Sequence, residues 1–189
     1  MKRKLLFALF AVAAACFQAN AQTFSGGTGT EASPYLISSK ADMEALADAV
    51  NDGESYTGKH FLLTRDLTAA SDTVTTVIGN SDSTPFSGNF DGGGYEIAVE
   101  IEIDTTNNTA YAGIFGYIIE ATIQNLGVSG SVSASAIGYS SYSGGICGYM
   151  DGDAISNCYN TGSISSTASI SYSGGICGSL NGTISNCYN

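Results

Sequence analysis

Apolar and polar positions alternate along residues 97–103, where Ile97, Val99, Ile101 and Ile103 are separated by Ala98, Glu100 and Glu102. Successive side chains on a strand point to opposite faces, so this period predicts a strand with its branched residues inward and Glu100, Glu102 and Asp104 outward. The acidic face reads as a solvated strand surface that blocks edge pairing, or as a ligand platform. A helical period occurs once, in Met43, Leu46, Ala47 and Val50. Ser38 or Ser39 can cap that helix and Asn51-Asp52-Gly53 ends it. Short apolar runs at 34–37 and 59–64 predict two more strands. A Gly-rich lead-in occupies 24–33, a polar loop around Val77-Ile78 is expected over 71–85, and a tight turn over 86–95.

The carboxy-terminal part repeats itself. Residues 141–160 read SYSGGICGYMDGDAISNCYN and residues 171–189 read SYSGGICGSLNGTISNCYN. An earlier, degenerate copy aligns Gly113–Tyr117 with Gly145–Tyr149, and Thr122–Leu126 with Ala154–Cys158 and Thr183–Cys187. A period of about 30 residues predicts stacked repeats, each burying its apolar face against its neighbours. In such a stack Ile123, Ile155 and Ile184 form one interior ladder, and Ile114, Ile146 and Ile176 another. Asn125, Asn157 and Asn186 form an amide ladder, since amides in register hydrogen-bond along the stack. Cys147 and Cys177, and Cys158 and Cys187, are repeat-equivalent pairs at positions held earlier by Phe115 and Leu126. They read as core-filling thiols, with a disulfide framework as the other reading. The short helix before the first coil suits a cap over an open end of the stack.

Export is the expectation at the amino terminus. Lys2, Arg3 and Lys4 precede an apolar run from Leu5 to Phe17 and a small-x-small site at Ala19–Ala21. A second reading takes Ala13–Cys16 as a lipoprotein-like site. The chain thus divides into a signal peptide (1–21), a cap with a first coil (22–70) and a β-helix (71–189). No segment of the mature chain is apolar for long enough to span a bilayer. The formal net charge is −11 and no Lys or Arg follows Arg65, which makes nucleic acid an improbable partner. No CxxC pattern occurs and the single histidine is His60, so no cofactor or metal centre is expected; Asp151 and Asp153 form only a short Asp-Gly-Asp candidate for Ca2+. The Gly-rich lead-in lacks the Lys-Ser/Thr ending of a phosphate loop.

The stretches GIFGYIIEATIQNLGVSGSV (113–132), GGICGYMDGDAISNCYNTGSIS (144–165) and GGICGSLNGTISNCYN (174–189) resemble proteins carrying the GLUG motif, a bacterial surface repeat. The upstream PYLIS, FLLTRDL and FSGNFDGGGYEI resemble the leader that often precedes such repeats. The chain departs from the pattern in its cysteines and in IAVEIEI (97–103). The resemblance implies an all-β, right-handed parallel β-helix of the pectin-lyase-like kind, with GLUG-like repeats at about 113–133, 144–165 and 174–189. It also implies an exported or surface-attached protein of a Bacteroides-like bacterium, often adhesive, with no catalytic residues.

Three functions compete. The first is a non-catalytic adhesion or binding scaffold for an extracellular glycan or protein, with Tyr142, Tyr149, Tyr159, Tyr172 and Tyr188 as candidate contact residues. The alternative for these tyrosines is packing along an outer ladder. The second is a stalk or the amino-terminal part of something larger, since the last copy stops before its final strand and leaves a coil able to self-associate. The third, a polysaccharide-degrading enzyme, lacks the cations a lyase of acidic glycans needs and offers only Glu120, Asp151 and Asp153 as carboxylates in the repeats. The mature protein is therefore expected at the cell surface, secreted or periplasmic.

Overall fold

A computed structural model of the chain describes residues 24–189, so the expected signal segment lies outside the described residues. Its elements in order are β1 (Tyr35–Ile37), α1 (Lys40–Asn51), β2 (His60–Leu63), β3 (Asn89–Asp91), β4 (Glu96–Thr105), β5 (Ala110–Ala112), β6 (Phe115–Ile119), β7 (Thr122–Gln124), β8 (Gly127–Gly144), β9 (Cys147–Ser156), β10 (Tyr159–Asn160), β11 (Ser163–Gly174) and β12 (Cys177–Ser185). One sheet runs β1-β2-β3-β7-β9-β12, with β6 also on β9; in the other, β4, β5, β10 and β11 all pair with β8. Every pair of these strands is parallel. The fold is a parallel β-solenoid of about four turns with one short helix.

Register follows the repeat. Ile123, Ile155 and Ile184 align across β7, β9 and β12. The column continues upstream through Phe90, Phe61 and Tyr35. Phenylalanine thus takes isoleucine's place in the early coils, and Phe61, Phe86, Phe90 and Phe115 are all fully buried. The stretch 86–95 is not a turn alone: Asn89–Asp91 is a strand whose Phe90 sits in this column, and only 92–95 turn. Three residues between glycines show no period of their own; pairing with β2 and β7 makes the strand. The 71–85 stretch likewise joins the coil, through bridges from Val74 to Val99 and Ile78 to Phe115. On β4, Ile97, Val99 and Ile101 are buried and Glu100, Glu102 and Asp104 exposed, beside Ser131, Ser133 and Ser135 of β8.

Helix α1 buries Met43, Leu46, Ala47 and Val50 completely. A helix of this length is marginal alone, and burial worth about 1.5–3 kcal/mol per large apolar side chain is what holds it. Ser39 is the N-cap, accepting from the Asp42 amide at 3.2 Å. At the other end Asn51 donates to the Val77 carbonyl and accepts from the amides of Gly79 and Asn80, fastening the helix to the coil.

The repeat's glycines make a narrow corner where β8 gives way to β9. A Cβ on Gly148 would lie 2.8 Å from the Gly116 carbonyl oxygen and 3.0 Å from that of Tyr142. Backbone there lies against backbone with no side chain between, which sets Tyr142 beside Tyr149.

Candidate functional site

Five tyrosines converge at that corner. Tyr111, Tyr142 and Tyr172 are in register on β5, β8 and β11. Their rings stack at 5.5 Å and 4.9 Å, inclined by only 9° and 2°. Tyr117 and Tyr149, on β6 and β9, stack at 4.9 Å. The two columns meet edge to face, Tyr111 against Tyr117 and Tyr142 against Tyr149. Inside the columns ring faces are therefore covered by neighbouring rings, leaving edges and hydroxyls outward, while Tyr172 ends its column against Tyr142. Burial, then the carboxylate of Asp82 and the neighbouring tyrosines, pushes the Tyr111 phenol up to about 12.

Exposed apolar side chains gather beside these columns. Ile137 is 67% exposed and Tyr139 45%, both on β8; Ile170 is 54% and Tyr172 44%, both on β11. Ile170 stands opposite Ser140. A cavity of about 500 Å³ adjoins this corner, lined by Asn80, Asp82, Tyr111 and Tyr139 among others.

The structure divides the tyrosines expected from the sequence. Tyr142, Tyr149 and Tyr172 share the corner, whereas Tyr159 and Tyr188 stack on each other elsewhere at 5.3 Å. Tyr159 donates to Glu96 Oε2 at 2.9 Å, and a Cβ on Gly127 would fall 2.3 Å from its ring. Burial, followed by Glu96, pushes this phenol up to about 12. Sequence reasoning missed Tyr111, which lies just before the degenerate copy, Tyr117, which lies in it, and Ile137 and Ile170, two isoleucines left exposed on their strands.

The asparagines form a directed chain. Asn186 donates to Asn157 at 3.3 Å, Asn157 to Asn125 at 3.2 Å, and Asn125 to Asp91 at 2.9 Å. All three asparagines have left-handed backbone, φ 52–54°. Asp91, where the chain ends, also accepts from Gln124 and from the Gly93 amide. Burial alone would raise its pKa; these bonds outweigh that and hold it below the ordinary carboxylate value.

None of the four described cysteines is joined in a disulfide. Cys147 aligns with Cys177, and the Cys158 amide donates to Cys187 Sγ at 3.4 Å. Each thiol donates to a main-chain carbonyl two residues away. Burial pushes the Cys158 thiol up to about 12, so it stays protonated and unreactive. Asp151 accepts from Asn181 at 2.6 Å, and the Asp153 side chain lies outside the described residues. Among the described residues no group of three His, Cys, Asp or Glu is arranged around a metal position.

Residues 139–165 match the family model of the GLUG motif. The chain carries a GLUG repeat. That repeat spans Tyr142 and Tyr149 of the corner, Tyr139 beside it, and Asn157 of the amide chain. A protein of Evansella cellulosilytica, described by inference as a Gly-rich membrane protein, is 33% identical to the GLUG chain over 132 residues. The match takes in 67% of this chain but 14% of that relative, so the GLUG chain spans a small part of its relative's length. Among solved structures, a Bacteroides ovatus protein with the inferred name immunoglobulin A1 protease aligns with a TM-score of 0.51 and 16% identity. The alignment covers 87% of this chain and 77% of that one, a likeness of fold. No helix among the described residues is long and apolar enough to cross a membrane.

Proposed function

We propose that this GLUG chain is a non-catalytic, exported binding module whose contact surface is the tyrosine corner, and that its ligand is another protein. The observation that carries this reading is the gathering of Ile137, Tyr139, Ile170 and Tyr172, each 44% or more exposed, on one edge of the solenoid. Water-exposed aliphatic and aromatic groups concentrated in one patch are the mark of an interaction surface. Exposed isoleucine favours a protein partner over a sugar, because a branched aliphatic side chain has no hydrogen-bonding group to offer a sugar's hydroxyls. The −11 charge favours a neutral or basic partner. The word membrane in the relative's name is consistent with a place at the cell envelope.

The test is retention of the chain on arrays of extracellular-matrix proteins and of glycans, with wild type beside Ile137→Ser/Ile170→Ser and Tyr142→Ala/Tyr172→Ala. Binding to a protein that both variants lose supports the reading. Retention on glycans alone, or protein binding indifferent to both variants, overturns it.

A further inference from the structure

A second cavity, sharing no residue with the tyrosine corner, lies on the outer face of the other sheet. It has a volume of about 390 Å³, within the range of small-molecule sites, which run from about 300 to 1,000 Å³. Its floor comes from β2, β3 and β7, where register places His60, Asn89 and Thr122 in one outward row and Leu62, Asp91 and Gln124 in the next. Its wall is the lead-in loop carrying Glu31 and Pro34.

That wall is built, not draped. The Thr28 amide bonds the Ser33 carbonyl at 2.9 Å, and the His60 amide bonds the Gly29 carbonyl at 3.1 Å, tying loop to floor. Gly29 has φ +73° and lies under the Tyr35 ring, where a Cβ would fall 2.3 Å from Cε2. The floor is fixed too: Asp91 is clamped by Gln124, Asn125 and the Gly93 amide.

We propose that this groove binds a neutral saccharide unit. Hydroxyl groups both donate and accept, and so do the amides of Asn89 and Gln124 and the hydroxyl of Thr122, with the imidazole of His60 beside them. An ammonium ligand only donates and would need a carboxylate; Asp91 already receives three donors, which leaves it Glu31 on the wall, and the ethylamine titration below tests that pairing. An anionic ligand is opposed by Glu31, Asp91 and the acidity of the whole chain. Pro34 and Leu62 supply the apolar strip that a sugar's C–H face needs.

His60 is the only histidine in the chain, so its ring resonances report on this groove alone. The full chain is titrated with D-galactose, D-mannose and N-acetyl-D-glucosamine, and separately with ethylamine and CaCl2. One sugar is expected to shift the His60 signals saturably. The shift should persist in Tyr142→Ala/Tyr172→Ala, which separates this site from the protein-binding corner. Asn89→Ala/Gln124→Ala should weaken it about tenfold or more, two hydrogen-bonding side chains being lost. Glu31→Gln, on an exposed loop residue, provides a variant that leaves the floor untouched; it should keep the sugar response. Absence of saturation by any sugar at about 100 mM, a weaker limit than most recognition sites show, overturns the proposal. So does a response to ethylamine or Ca2+ in place of sugar, or one unchanged when both amides are removed from a chain that retains its β circular dichroism.

Discussion

Replacing Asn157 by alanine and, separately, by glycine tests what holds the coils in register. The side chain makes two amide bonds, donating to Asn125 at 3.2 Å and accepting from Asn186 at 3.3 Å. Both are long and reach solvent, so each belongs at the lower end of the usual range, about 0.5 kcal/mol. The backbone adds a second contribution, because φ at Asn157 is +53°. A Cβ in that left-handed conformation costs about 1–2 kcal/mol for an ordinary residue, a cost that asparagine offsets by local hydrogen bonding and glycine escapes. Asn157→Gly should therefore cost about 1 kcal/mol, and Asn157→Ala about 2–3 kcal/mol. Urea unfolding followed by far-UV circular dichroism reads both, provided the slope is unchanged. Equal costs for the two variants would refute the backbone part of the reasoning. A glycine variant as stable as wild type would refute the ladder part.

The remaining predictions concern single contacts. Tyr159→Phe should lose about 1 kcal/mol, the bond to Glu96, and Gly127→Ala should lose more, about 1–3 kcal/mol, because the new methyl displaces the ring; melting temperatures rank them, and the reverse order would refute the placement of Tyr159. Asp42 is buried, which raises its pKa, yet bonds from the Ser38 amide and the Ser25, Ser39 and Ser38 hydroxyls prevail and hold it low. A folded-state pKa below the unfolded value, about 3.9, contributes stability that is complete above that value and lost as pH falls through the folded one. The melting temperature should accordingly drop on acidification below about pH 4, less steeply in Asp42→Asn; identical acid profiles would sink this assignment. Cys158, its thiol pushed up to about 12, should resist iodoacetamide at pH 8 until the chain is unfolded, as peptide mapping would read, and native-state alkylation there would contradict the buried placement.

The stacking was legible wherever the repeat was explicit. Ile123, Ile155 and Ile184 declare their column by recurring at one offset, and α1 declares itself by the spacing of Met43, Leu46, Ala47 and Val50. The early coils were harder to read because their period is carried by shape: Phe90 and Phe61 continue the isoleucine column without sharing its residue type. Asp91 was invisible as the terminus of the amide chain, since it precedes the first recurring asparagine by a full coil. At the corner the tyrosines of the two clear repeats could be found, but Tyr159 and Tyr188 could not be separated from them. The separation depends on which way the coil turns after Asn157, and a left-handed residue there is a backbone property that only the recurrence of asparagine hints at.

The GLUG repeat is in physical terms a recipe for a corner. Gly148 lets two sheets meet backbone to backbone, and Gly145 leaves the space into which the buried Asn160 packs, 2.5 Å from where a Cβ would sit. Asn160 in turn closes the coil through both main-chain groups of Gly162. None of these residues faces solvent in a way that a ligand could use. What varies between copies lies along β9 and β12: Tyr149 aligns with Ser179, the buried Met150 with Leu180, and Asp151 with Asn181. A motif of this kind conveys a fold and leaves binding to residues around it, which is why Ile137 and Ile170 and the groove beside His60 carry the functional proposals while the recurring glycines do not.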